Sequence, residues 1–155
     1  DIAMQRILPS KSQVLGFLAA LIFLNVVGAA VQTQFNIGHL LALGIEVPFS
    51  MRISTTLQDI VYLQPLFGMI FGTGFLVAMI VGSYIAAWVK ILPDLVFALA
   101  GFAAMGVTLF SLRAAFLITP IGAAREWDGL LSLCIVGALA GYAFSITLAR
   151  LNRSA

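Results

Sequence analysis

Charge is scarce in this sequence. Asp, Glu, Lys and Arg together make up 9% of its 155 residues, against about 25% in ordinary soluble domains. A soluble fold of this length buries about two thirds of its unfolded surface. With 62% hydrophobic residues such a fold would turn a continuous apolar exterior to water, so the solvent that suits the chain is lipid. Cysteine is nearly absent as well. Cys134 stands alone inside an apolar run, which excludes an internal disulfide and any multi-cysteine metal or cluster site. His39 is the only histidine, so a haem held by two histidines of one chain cannot be built. Zinc would have to draw on Glu46 or Asp59 without recognisable ligand spacing. No cofactor or metal is expected. Also missing are a nucleophile with a neighbouring base, paired intramembrane aspartates and a glycine-rich phosphate loop, and no catalytic residue is assigned. The net charge of +2 is small and the basic residues are scattered singly, which excludes nucleic acid as a partner.

What the chain has in abundance is long apolar runs. Crossing about 30 Å of hydrocarbon takes about 20 apolar residues in a helix, the one open structure that satisfies its own backbone there. Four runs qualify, and they predict an all-α integral membrane protein, a four-helix bundle forming one domain over 1–155. The first spans Val14 to Val31, between Lys11 and the polar run Gln32, Thr33, Gln34. The second spans Leu66 to Val89, with Pro65 in its first turn, where the missing N–H is harmless. The third runs from Leu95 to about Leu117, after Pro93 and Asp94 and before Pro120, and the fourth from Gly129 to Ala149. A basic start, an apolar stretch and the small residues Gly28, Ala29 and Ala30 would also suit a secretory signal. The first segment is nevertheless expected to stay as a membrane helix.

Four crossings put both termini and the short second-to-third connection on one side. That side carries Arg6, Lys11, Lys90, Arg150 and Arg153, while the other carries Arg52, Arg113 and Arg125. Positive residues near helix ends stay in the cytoplasm, so cytoplasmic termini in a bacterial-type inner membrane are expected. The connection from Gln32 to Asp59 on the outer side is too apolar for a solvated tail. Within it Ile37, Leu40, Leu41 and Leu43 are candidates for a short helix at the interface.

The clearest local pattern is a ladder of small residues in the second span: Gly68, Gly72, Gly74, Ala78, Gly82 and Ala86. Residues four apart share a helix face, and in lipid a small-residue face lets backbones approach and gain van der Waals contact. Gly137 and Gly141 in the fourth span, and Ala100 and Ala104 in the third, repeat the spacing. Such seams serve either this bundle or a neighbouring subunit. Asn25 and Gln64 are polar groups that should face another helix or water. Tyr62, Tyr84, Trp88, Trp127 and Tyr142 fall mainly near span ends, where rings anchor at headgroup level.

An outer polar cap is expected from His39, Arg52, Asp59, Arg113, Arg125, Glu126 and Asp128. Arg113 lies about 27 Å along its helix from Leu95 at 1.5 Å per residue, near the outer boundary, where a charge either snorkels to headgroups or pairs with Asp59, Glu126 or Asp128. Pairing would make Arg113→Ala more destabilising than Arg153→Ala, because breaking a desolvated pair costs about 3 to 5 kcal/mol and an exposed one at most about 1. The size and helix number are shared by glutathione-handling membrane enzymes, lipoprotein signal peptidases and small subunits of binding-protein-dependent transporters, but none of their residue signatures occurs. The expected function is a small non-catalytic membrane subunit that packs against other transmembrane helices or a second copy of itself, in contact with membrane lipids. The alternatives are a small homo-oligomeric transporter or channel using Arg113, Asn25 and the outer charged loops, and a lipid- or quinone-modifying enzyme using His39 with Glu46 or Asp59.

Overall fold

The computed structural model describes residues 11–62, 64–89, 92–117 and 125–154. Arg6, Lys90, Pro120 and the side chains of Gln64 and Pro65 lie outside the described residues. The described residues form five helices and no strand: α1 Lys11–Ala42, α2 Phe49–Tyr62, α3 Gln64–Val89, α4 Pro93–Phe116 and α5 Trp127–Ser154. All but α2 are long and apolar enough to cross a membrane.

The first helix is much longer than its apolar run. Its 32 residues reach about 48 Å at 1.5 Å per residue, well beyond the hydrocarbon. Nothing in Gln32, Thr33, Gln34 breaks a helix, and the stop comes only at Gly44, whose φ of 80° suits a residue without Cβ. Gly44 N–H donates to the Leu41 carbonyl at 3.0 Å and Ile45 N–H to Leu40 at 3.1 Å, the paired bonds of a Schellman ending. Leu40 and Leu41 therefore belong to the end of α1 and Leu43 to its capping turn, not to a separate interfacial helix. The short helix of the connection is α2, later in the chain. It starts after Pro48, whose carbonyl accepts from Arg52 N–H at 3.0 Å. None of its residues is buried. It turns Thr56 and Asp59 to α1 and leaves Phe49, Ile53 and Leu57 exposed, as an amphipathic surface helix does.

Among the four long helices α5 is central. Half of its apolar window is buried inside the protein, against 28% in each of the others. It packs between α1 and α4, and α3 completes the bundle by touching α4 and α1. Leu24, Phe75, Leu133 and Ala140 are almost wholly enclosed. Phe97 meets Phe144 edge to face at 5.1 Å, and Phe17 stacks on Phe75 at 5.8 Å.

The α4–α5 crossing is the tightest. A methyl added at Gly101 would overlap the Gly137 carbonyl, one at Gly137 would overlap Gly101 and Met105, and one at Gly141 would overlap the Phe97 carbonyl. The obstructing atoms are mostly backbone, which cannot swing aside, so only glycine permits this approach. Gly28 is the opposite case, with nothing within 4 Å of an added methyl. Gly101→Ala and Gly141→Ala are each expected to cost about 1 to 3 kcal/mol through overpacking. Gly28→Ala is expected to be neutral or to stabilise by a few tenths of a kcal/mol through helix propensity. Reversible SDS unfolding in mixed micelles measures both, and equal stabilities for Gly101→Ala and Gly28→Ala would contradict the crossing.

Candidate functional site

The residues expected to form one polar cap separate into two groups at the same end of the bundle. The first joins α1 to α2. Thr33 is fully buried, and its hydroxyl lies 2.6 Å from Asp59 Oδ2 and 2.9 Å from the Ala29 carbonyl. A hydroxyl has one proton to give, and the shorter, charge-assisted contact is the one to the carboxylate. Gln34 Nε2 donates to Thr56 Oγ1 at 3.2 Å, and Arg52 lines a shallow hollow with Gln34 and Thr56.

The second group joins α1, α4 and α5. His39 Nε2 lies 3.2 Å from Glu126 Oε1, a hydrogen bond for the neutral ring and an ion pair for the protonated one. Glu126 also lines a cleft of about 220 Å³ with Arg113, Arg125 and Trp127, over a floor of Leu109, Phe110 and Leu130. Asp128, in the first turn of α5, is exposed and does not line that cleft. Glu126 thus meets a histidine from the last turn of α1. Arg113 is exposed and has no ion pair or hydrogen bond with any described residue. His39 does not meet Asp59, which is bonded to Thr33, so the acid–base pairs considered with Glu46 or Asp59 are replaced by His39–Glu126.

The small-residue ladder of α3 divides between two neighbours. Positions 68 and 72 face α1: an added methyl would lie 3.5 Å from Asn25 Nδ2 and 3.3 Å from Leu21 Cδ1 respectively. Gly74 faces Thr108 and Gly82 faces Ala100 of α4, with Ala78 and Ala86 half-buried beside the core. Gly137 and Gly141 lie in the α4–α5 crossing. On the outer side of the α3–α4 contact an open groove of about 870 Å³ runs along the bundle, walled by Val77, Ala78 and Val81 on one side and Ala100, Ala103 and Val107 on the other.

Asn25 Oδ1 and Gln32 Oε1 are buried without a hydrogen-bond partner among the described residues. Both lie on α1, and neither lines the Arg113 cleft. At the opposite end of the bundle the buried Ser145 hydroxyl donates to Asp94 Oδ1, so the acid in the first turn of α4 meets both a helix N-terminus and a side-chain donor. Sequence reasoning missed Gly101, Thr33 and this Ser145–Asp94 bond. Gly101 carried a signal, since it lies four residues from both Phe97 and Met105 on one face. A hydroxyl that donates across helices carries none. No protein-family model, curated protein or solved structure matches the chain.

Two predictions follow from these contacts. Thr33→Val removes the donor to the half-buried Asp59 carboxylate with little change of volume and is expected to cost about 1 kcal/mol, since water can reach the acceptor in part; Ser132→Ala, whose exposed hydroxyl only bonds its own helix, is expected to stay within about 0.5 kcal/mol. Both are read by SDS unfolding. Because Arg113 has no ion pair or hydrogen bond with any described residue, Arg113→Ala and Arg153→Ala are expected to melt at the same temperature in lipid-free detergent. A lower melting temperature for Arg113→Ala there would show a pair that the structure lacks.

Proposed function

We propose that the protein is a small non-catalytic membrane subunit that holds a transmembrane helix of a partner in the α3–α4 groove. The observation that carries this reading is the groove itself, apolar along its length, open to the lipid side and lined in part by small residues, Ala78, Ala100 and Ala103 among them. No hydrophobic effect draws helices together in lipid, so association depends on close packing, and small residues at the contact permit it. Gly74 and Gly82 keep α3 close to α4 at the base of the groove, while Ala100, Ala103 and Val107 form a low wall on α4. Larger side chains there would leave a ridged surface suited to disordered lipid tails.

The protein sits in this reading in a bacterial-type inner membrane with its termini in the cytoplasm. Lys11, Arg150 and Arg153 lie at the terminal end of the bundle and Arg52, Arg113 and Arg125 at the other, and Arg6 and Lys90 add to the terminal side in the sequence.

Protein extracted from its native membrane in the mildest detergent is expected to run well above the size of one chain. Ala103→Trp, on an exposed position of the groove wall, is expected to abolish that association while helicity by circular dichroism stays unchanged. A lone monomer for the wild-type chain under these conditions, or undiminished association of Ala103→Trp, overturns the proposal.

A further inference from the structure

We propose that the cleft between the end of α4 and the start of α5 binds the phosphate of an anionic phospholipid, with the Arg113 and Arg125 guanidinium groups as its ligands. The cleft is independent of the α3–α4 groove and of what that groove holds. Arg113 stands in the last turn of α4. Its five N–H donors meet no acceptor among the described residues, and a guanidinium at the membrane boundary without a partner is costly unless water or a headgroup supplies one. Arg125 lines the same cleft from just before α5, so a second guanidinium group borders the space that Arg113 faces, an arrangement that suits a phosphodiester better than a single point charge would.

Among the described residues of the lining Glu126 is the one acid, and its carboxylate lies 3.2 Å from His39 of α1. Arg113, which meets no acceptor among the described residues, beside a carboxylate already engaged by His39 favours a lipid with net negative charge over a zwitterionic one. The rest of the lining separates a lipid from a free anion. Leu109 and Phe110 lie about one turn below Arg113 on α4, and Leu130 one turn below Trp127 on α5. The floor is therefore hydrocarbon at the depth where acyl chains begin, and the exposed Trp127 ring stands at the rim, where aromatic rings meet headgroups. A free phosphate would use the guanidinium groups and leave the floor empty, whereas a phospholipid uses both. The volume of about 220 Å³ accommodates a headgroup and the first carbons of its chains, not a whole lipid.

The test is native mass spectrometry of the purified full chain titrated with phosphatidylglycerol or phosphatidylcholine, alongside thermal unfolding with each lipid or with millimolar inorganic phosphate. Phosphatidylglycerol is expected to remain bound to the wild type and to raise its melting temperature, and phosphatidylcholine to be retained much less. Arg113→Ala is expected to lower phosphatidylglycerol affinity about tenfold, the loss of one charge-assisted hydrogen bond. Arg150→Ala with Arg153→Ala, at the far end, is expected to leave it unchanged. Arg113→Gln, of similar length and uncharged, is read in the same way should the alanine variant fail to fold. Equal retention of phosphatidylglycerol by the wild type and both Arg113 variants overturns the site. A phosphate-induced stabilisation equal to that of phosphatidylglycerol overturns the lipid assignment, and equal retention of the two lipids overturns the preference for an anionic one.

Discussion

The bundle depends on the approach of two backbones, α4 and α5, at Gly101, Gly137 and Gly141. Lipid tails solvate leucine as well as another helix does, so a membrane protein cannot rely on burying apolar surface to assemble. It must gain dispersion contacts that lipid would not give, and these grow only when helix axes come close. The three glycines bring peptide groups of one helix against those of the other. Phe97 and Met105 on α4, and Phe144 and Leu133 on α5, then close around the crossing as an enclosed core. Because α5 also takes α1 on its other side, with Gly16 against Phe144, α1, α5 and α4 form the firm part of the molecule. The third helix is attached at its edges, which is why the open groove lies beside α3.

Polar pins fix the register of this assembly at both ends. Ser145 and Asp94 join α5 to α4 at the terminal end, while Thr33 with Asp59 and His39 with Glu126 join α1 to α2 and to α5 at the other. Each pin is cheapest near the membrane boundary, where a carboxylate does not cross hydrocarbon and still loses enough water for a hydrogen bond to count. Van der Waals seams fix how near the helices lie, but a seam of small residues slides easily. Hydrogen bonds at the ends oppose that sliding.

Much of this was legible in the sequence because the bilayer imposes a length. Four runs of about 20 apolar residues can hardly be anything else, and the structure has four spanning helices. Hydropathy marks where the hydrocarbon ends, however, and a helix need not end there. Gln32, Thr33 and Gln34 read as a boundary, yet α1 continues through them because each has an adequate helix propensity and the first strong stop is Gly44. That continuation moved the amphipathic helix to Phe49–Tyr62, where the alternation of Arg52, Thr56 and Asp59 with Phe49, Ile53 and Leu57 had been masked by the apolar character of the whole connection. The polar cap was legible as a set of residues on one side. Its division into two groups was not, since it depends on the rotation of each helix about its axis.

Rotation also explains how α4 carries three different surfaces without conflict. Successive residues turn by about 100°, so Ala100 and Ala104 share the face that borders the α3–α4 groove, and Gly101 and Met105 share the face pressed on α5. Ala104 and Arg113 are nine residues apart, about two and a half turns, which places them on opposite sides of the helix. A helix seated in the groove would therefore cover Ala104 and Val107 and leave the Arg113 cleft open to lipid. The two surfaces are mechanically linked all the same, because Phe110 and Arg113 ride on a helix whose other flank is locked to α5 through Gly101. An occupant that tilted α4 toward α3 would have to loosen the glycine crossing first, because the obstructing atoms at Gly101 are backbone atoms of α5.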